Sequence, residues 1–233
     1  MAKTKEKIQK TEDRIVAVES ALGKGEQFIE KNKNLLFYIL LGILVIIGGY
    51  LAYRKYIKTP REREAQAAMF GAEHYFGVDS LKLALEGDGT YLGFPDIVDE
   101  YGSTKSGNLA RYYAGICYLK MGQFEDAIAQ LEEFDSDDQI IGPMAIGATG
   151  DAYMELNDQD KALECYLKAA EKQNNDFTTP LFLQKAAWVC EMKGDYTKAL
   201  ELYEKIKKEH FRSFEANDVD KYIARAKGLS GQS

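Results

Sequence analysis

His74 and His210 are the only histidines in this 233-residue chain, and they lie far apart in sequence. Neither has cysteine or carboxylate neighbours at the spacing of metal ligands. There is no Gly-x-Ser-x-Gly elbow, no phosphate-binding glycine loop and no His-Glu-x-x-His pair. Cys117, Cys165 and Cys190 number three, so at least one has no partner within the chain. No Cys-x-x-Cys is present. Each cysteine falls in an apolar helical stretch, where a free thiol behaves as a small hydrophobe. A disulfide or redox role is the other reading. Asp135-Ser136-Asp137-Asp138 is acidic, but it lacks the glycine and the distal Glu of a calcium loop. Catalysis therefore has no visible carrier. The expectation is a non-enzyme with no cofactor, no metal and no small-molecule substrate. What remains for these residues to do is to recognise other macromolecules.

The element that decides where this happens is the run Leu35–Tyr53, which holds 19 residues and no Asp, Glu, Lys, Arg or His. As a helix it is roughly 28 Å long, about the thickness of a bilayer's hydrocarbon core. Lys31 and Lys33 flank one end, and Arg54, Lys55 and Lys58 the other. Phe37, Tyr38, Tyr50, Tyr53 and Tyr56 sit near the ends, as an interfacial belt requires. A buried soluble helix is the competing reading, but basic clusters at both ends speak against it. A cleaved signal peptide has a shorter apolar centre and a small-residue cleavage site. A signal anchor fits better.

Charge excludes one class of partner. The net charge is −7. Residues 1–53 hold 8 basic and 6 acidic side chains, which leaves 22 and 31 in the rest. A domain of net −9 repels phosphate backbones, so nucleic acid is not expected as a partner. Within 20 residues of the span, 3 basic residues precede it and 5 follow it. That bias does not by itself decide which side of a membrane the large domain occupies.

Residues 1–34 form a polar tail. Thr11-Glu12-Asp13 can open a helix with Ile15, Val18 and Leu22 on one face, either as part of a solvated tail or as a docking helix. Beyond the span, Pro60 opens a helix through Phe76, with Ala65, Ala68, Met69, Ala72 and Phe76 on one face and Gly77 at its end. Asp79 or Ser80 caps a short helix carrying Leu81, Leu83 and Leu85. Gly87-Asp88-Gly89 is a turn, and Phe94–Tyr101 a further helix ended by Gly102.

Three segments then lie over one another: Asn108–Phe134, Pro143–Ala169 and Pro180–Ile206. Each is two amphipathic helices joined by a polar turn. Gly115, Gly150 and Ala187 are small where the two helices of a unit approach. Tyr118, Tyr153 and Cys190 follow on the buried face. Gly122, Asn157 and Gly194 end the first helix, where a left-handed residue is wanted. Ala127, Ala162 and Ala199 open the contact face of the second helix, with Leu131, Tyr166 and Tyr203 four residues on.

This pattern resembles the tetratricopeptide repeat. Arg111 replaces the usual large apolar residue of unit one, and Gln159 the aromatic that Phe124 and Tyr196 supply. The resemblance implies a solenoid, and with the apolar run the expected fold is all-α: one N-terminal transmembrane helix (35–53), then that solenoid. Its parts are a degenerate first unit (60–107), repeats at 108–142, 143–179 and 180–213, and a capping helix at 218–229 with Val219, Tyr222, Ile223 and Ala226 on one face. In such arrays the first helix of each unit lines the binding groove. The matching positions are Leu109, Tyr112, Ile116 and Leu119, then Met144, Gly147, Asp151 and Met154, then Leu181, Gln184, Trp188 and Glu191. Arrays that clamp a peptide carboxylate use Lys and Asn there. The expectation here is an apolar groove with an acidic fringe and no such clamp. The alternative is that Tyr112, Ile116 and Trp188 only pack against neighbouring helices or the C-terminal one.

The order of elements adds a wider resemblance. Ala65–Phe70, Phe94–Tyr101 with Gly102 and Ser103, and Lys105–Tyr113 are similar to the YfgM-like family of membrane-anchored tetratricopeptide proteins. That resemblance implies a cytoplasmic N-terminus and a repeat domain on the periplasmic side of the inner membrane. It also implies an ancillary role at the Sec translocon, with periplasmic chaperones or secreted chains as partners. A cytosol-facing, membrane-tethered adaptor is the alternative.

Overall fold

The computed structural model describes residues 30–35 and 37–231. The chain divides between Thr59 and Pro60 into two compact units. In the first, residues 30–35 and 37–53 are helical (α1). A widened π-helical turn, Arg54–Lys58, follows, and Thr59 Oγ1 donates to the Arg54 carbonyl at 2.9 Å. The apolar side chains from Phe37 to Tyr53 are exposed. Among the described residues, one helix is long and apolar enough to cross a membrane, and it contains this run. The Ile15–Val18–Leu22 face lies outside the described residues.

The second unit is built of helices in series, with no strand among the described residues. They are α2 (Thr59–Gly77), α3 (Leu81–Glu86), α4 (Phe94–Tyr101), α5 (Lys105–Lys120) and α6 (Phe124–Glu133). Then come α7 (Ile141–Glu155), α8 (Gln159–Lys172), α9 (Thr178–Met192), α10 (Tyr196–Glu209) and α11 (Val219–Ser230). From α4 onward each packs on the next in sequence, giving the stacked pairs α5/α6, α7/α8 and α9/α10 of a tetratricopeptide-like solenoid.

One local device ends every first helix of a pair. After α5, the Gly122 N–H bonds the Leu119 carbonyl and the Gln123 N–H that of Tyr118. Asn157 and Asp158 do the same after α7, and Gly194 and Asp195 after α9. This double bond is the Schellman turn, and it needs a left-handed residue at its centre. Gly122, Asn157 and Gly194 have φ of 76°, 61° and 78°. The same turn closes α2. Asp79, at φ 58°, bonds Phe76, and Ser80 bonds Tyr75. The left-handed position is thus Asp79, two residues after the last residue of α2, Gly77. In α3 the buried face is Ala84 and Leu85, while Leu83 points outward.

The small residues stand where helices touch. A Cβ on Gly115 would lie 2.5 Å from Leu131 Cγ, and one on Gly150 2.7 Å from the Tyr166 ring. Ala127, Ala162 and Ala199 are fully buried. The apolar side chains gather into a C-terminal core around Tyr166, Phe182, Tyr203 and Ile206 and an N-terminal one around Met69, Phe94, Ile97 and Cys117. Arg111, at the apolar position of unit one, is half-buried. Its guanidinium reaches Glu133 at 3.2 Å.

The N-terminus of α5 is closed by a residue of α2. Glu62 accepts hydrogen bonds from the Lys105 N–H at 2.8 Å, the Ser106 N–H at 3.1 Å and the Ser106 hydroxyl at 2.8 Å. Partial burial pushes its pKa up. The Ser106 hydroxyl and the two N–H bonds outweigh that and hold it below 4.5. A carboxyl depressed on folding stabilises the fold above its unfolded pKa, and the benefit is lost as pH falls through the folded value. A Glu62→Gln variant is therefore expected to be less stable than the parent at pH 7, with the gap closing below about pH 4.5. Urea midpoints measured from pH 7 to pH 3 check this, and a gap that does not narrow would remove it.

Candidate protein-binding groove

In a solenoid of helix pairs the first helices form one continuous surface. Here these are α5, α7 and α9, with α11 stacked on α10 at the C-terminal end. Tyr222 of α11 stacks on Tyr203 of α10, with ring centroids 5.3 Å apart and planes at 18°. The terminal helix takes the place of a further first helix.

The structure places the expected groove residues at graded depth. Leu109, Tyr112, Ile116 and Leu119 are half-buried on α5, and Met144, Asp151 and Met154 on α7. Leu181, Gln184 and Glu191 are half-buried on α9, and Trp188 is 39 % exposed. Tyr112, Ile116 and Leu119 rest on the small core of Leu131, Ala145 and Ala148, and the Tyr112 ring lies 5.5 Å from Phe134. They thus both pack against α7 and keep part of their surface open. Leu119, Asp151 and Met154 come together in a cleft of about 460 Å³ at the C-terminal ends of α5 and α7. Gly147 is not open. It is buried beneath the Phe182 ring of the next unit, and a Cβ there would collide with it.

The acidic fringe is neutralised within the molecule. Asp151 accepts from Lys185 Nζ at 2.7 and 2.8 Å and from the Tyr166 hydroxyl at 2.6 Å. Burial, then this bond to a carboxylate, raises the Tyr166 pKa far above its ordinary value. Glu191 is held by both Nε and Nη2 of Arg225 on α11, a bidentate pair. Burial lowers the Arg225 pKa, but its bonds and charge attraction to Glu191 more than reverse that. Both acid–base pairs are separated by 34 residues. Trp188 meets the edge of Tyr222, with centroids 6.4 Å apart. Arg225 lies over the Tyr222 ring at 5.2 Å, and Lys221 at 4.7 Å. Lys185, Lys221, Tyr222 and Arg225 are therefore part of this surface, and the sequence reading missed them. The signal was there in the opposite charges one repeat length apart.

A second, larger cleft of about 650 Å³ lies between α6 and α8 over α7. Leu131, Ile146, Tyr153, Cys165 and Lys168 line it, and none of the expected groove residues does. Burial, with a smaller contribution from Glu164, lifts the Cys165 thiol to about 11, and burial lifts Cys117 to about 12. Such thiols are protonated and inert at neutral pH. All three cysteines are free. His74 is exposed on α2, while His210 is buried with Nδ1 2.9 Å from Asp176. The Asp135–Asp138 run lies in the loop that precedes α7. Asp138 accepts from the Ile140 and Ile141 N–H groups at 2.8 Å each, which lowers its pKa. Among the described residues no group of three or more His, Cys, Asp or Glu could hold a metal.

Residues 109–137 and 148–176 each match a tetratricopeptide-repeat family model. No curated protein matches the chain. Among solved structures it is similar to the MamA protein, at 18 % identity and a TM-score of 0.54, over 72 % of this chain and 83 % of that one. It is also similar to the nearly identical repeats of a putative kinesin light chain from Podosopora anserina, at 16 % identity and a TM-score of 0.54. That match spans 72 % of this chain and 88 % of the other. These likenesses concern the fold.

Proposed function

We propose that this tetratricopeptide-repeat solenoid is a scaffold held in the inner membrane by α1, binding protein segments in the cell envelope along its first-helix surface. Tetratricopeptide repeats are protein-binding modules, and the observation that carries the reading is the open aromatic position Trp188 between Tyr222 and the half-buried Gln184. Exposed aromatics set in a rigid, otherwise satisfied surface are the usual anchors of an interface. Internal neutralisation of Asp151 and Glu191 leaves the surface apolar, which suits a helical or extended apolar segment of a client. The similarity of residues 65–70, 94–103 and 105–113 to YfgM-like proteins supports a periplasmic domain and a client drawn from the Sec translocon or its chaperones. Crosslinking in native membranes followed by recovery of bound chains tests this. Trp188→Asp and Tyr112→Asp are expected to lose partner recovery by roughly tenfold or more, with helicity unchanged. Full recovery by a folded double variant would remove the groove.

A cytosol-facing adaptor is the second reading, favoured by the excess of basic residues after the span, 5 against 3. A membrane-impermeant thiol probe added to intact cells separates the two. A cysteine at the exposed Met192 reacts in the periplasmic arrangement and stays silent in the cytosolic one.

A further inference from the structure

One edge of the solenoid is a continuous line of hydrogen-bonded loops. Arg61 at the start of α2 donates to the Glu100 carbonyl at 2.6 Å, and Glu62 closes the start of α5. Asn108 on α5 donates to the Asp135 carbonyl at 2.8 Å, and Lys172 reaches the Asp135 carboxylate at 3.2 Å. Asn175 donates to the Gln139 carbonyl at 3.0 Å, and His210 meets Asp176. These bonds set the N-terminus of α2 beside the loops that precede α5, α7, α9 and α11.

Three large apolar side chains stand out from this edge at an interval of 37 residues. They are Ile140, Phe177 and Phe214, and they are 39, 63 and 86 % exposed. Phe211 is exposed beside the last. None of them is on the first-helix surface described above, so the groove does not account for them.

We infer that this edge docks on a phospholipid surface. The inference rests on the membrane reading of α1 and extends it to the solenoid. Three observations select lipid over a protein partner. The chain enters the solenoid at Pro60, on this edge. Pro60 is seven positions after Tyr53, a reach of no more than roughly 25 Å, so any bilayer holding the apolar run keeps the Pro60 end of this edge within that reach of its interface. Aromatic and aliphatic side chains at loop tips suit the zone between headgroups and acyl chains, where rings are favoured. Exposed charges of both signs, Asp137, Asp138 and Asp176 with Arg61, Lys105 and Arg212, lie on the same edge, which suits zwitterionic headgroups.

The test uses the full chain in phosphatidylcholine vesicles. Single cysteines replace Phe177 and Phe214 on the loop edge, and Met121 and Met192 on the opposite edge, each carrying an environment-sensitive fluorophore. The native thiols, Cys117 and Cys190 buried and Cys165 half-buried, have raised pKa values and label little at pH 7, which the unsubstituted chain checks. The expected result is blue-shifted emission at the two loop positions and loss of roughly half of it to quencher-bearing lipids, with neither effect at the turn positions. Equal quenching at both edges overturns the inference, as does none at either while the protein floats with the vesicles; that second result leaves the anchor standing. A blue shift that grows with protein concentration and needs no lipid assigns the edge to a second copy of the chain and also overturns it. Protein that washes off the vesicles in carbonate sinks the anchor reading and this inference together.

Discussion

Gly147→Ala is expected to destabilise the solenoid alone and to stabilise it in a Phe182→Ala background. In an open helix the change from Gly to Ala gains up to about 1 kcal/mol. Here the added methyl meets the Phe182 ring, which is fully buried and stacked at 13° on Tyr166, 6.4 Å away. The ring has no free direction, so overpacking of about 1–3 kcal/mol outweighs the propensity gain. Phe182→Ala alone leaves a cavity in the C-terminal core and costs about 3–5 kcal/mol. With the ring gone the clash is gone, and only the propensity gain remains. The two substitutions are thus coupled by about 1–3 kcal/mol and the sign of the glycine effect reverses. Urea unfolding of the four proteins of this cycle measures it. A Gly147→Ala protein as stable as the parent would show that the units slide past each other more freely than the packing implies.

Gly107→Ala is expected to cost about 2–3 kcal/mol and to act on one end of the molecule. Thr104 caps α5 by accepting from the Gly107 N–H at 2.9 Å. A Cβ at residue 107 would press on the carbonyl of Tyr101 and on the Gly102 amide. Those are backbone atoms, which cannot rotate away, so α4 and α5 must part. Stability in a solenoid is a sum over neighbours. Hydrogen exchange should therefore rise over residues 60–104 while α7 to α10 stay protected. Gly228→Ala, where nothing lies within 4 Å, is the control and should be neutral or slightly stabilising. A uniform rise in exchange would mean that the solenoid unfolds as one unit, and that the end cannot be loosened alone.

The groove was legible only in part. Trp188, Tyr112 and Ile116 could be placed on the first-helix surface because each repeat carries its own phase. The periodicity did not reveal that Gly147 is covered, since Phe182, which covers it, is 35 residues later in the next unit. Nor did it reveal that Asp151 and Glu191 are paired, since Lys185 and Arg225 lie one repeat away. The end of α2 was legible at Gly77, its last residue, but the left-handed residue that closes the turn is Asp79, two positions on.

The sequence by itself determined the helices, their pairing and the small contact residues, along with an uncharged run long enough for a bilayer. All of these depend on neighbours within about four positions along a helix or across one turn. The tertiary structure decided which surface residues are free to bind. It joined the loops of one edge into a line and set a cation of one unit against the acid of the unit before. Freedom to bind depends on which side chains already have partners, and in a stacked array those partners come from the adjacent repeat, beyond the reach of any local pattern.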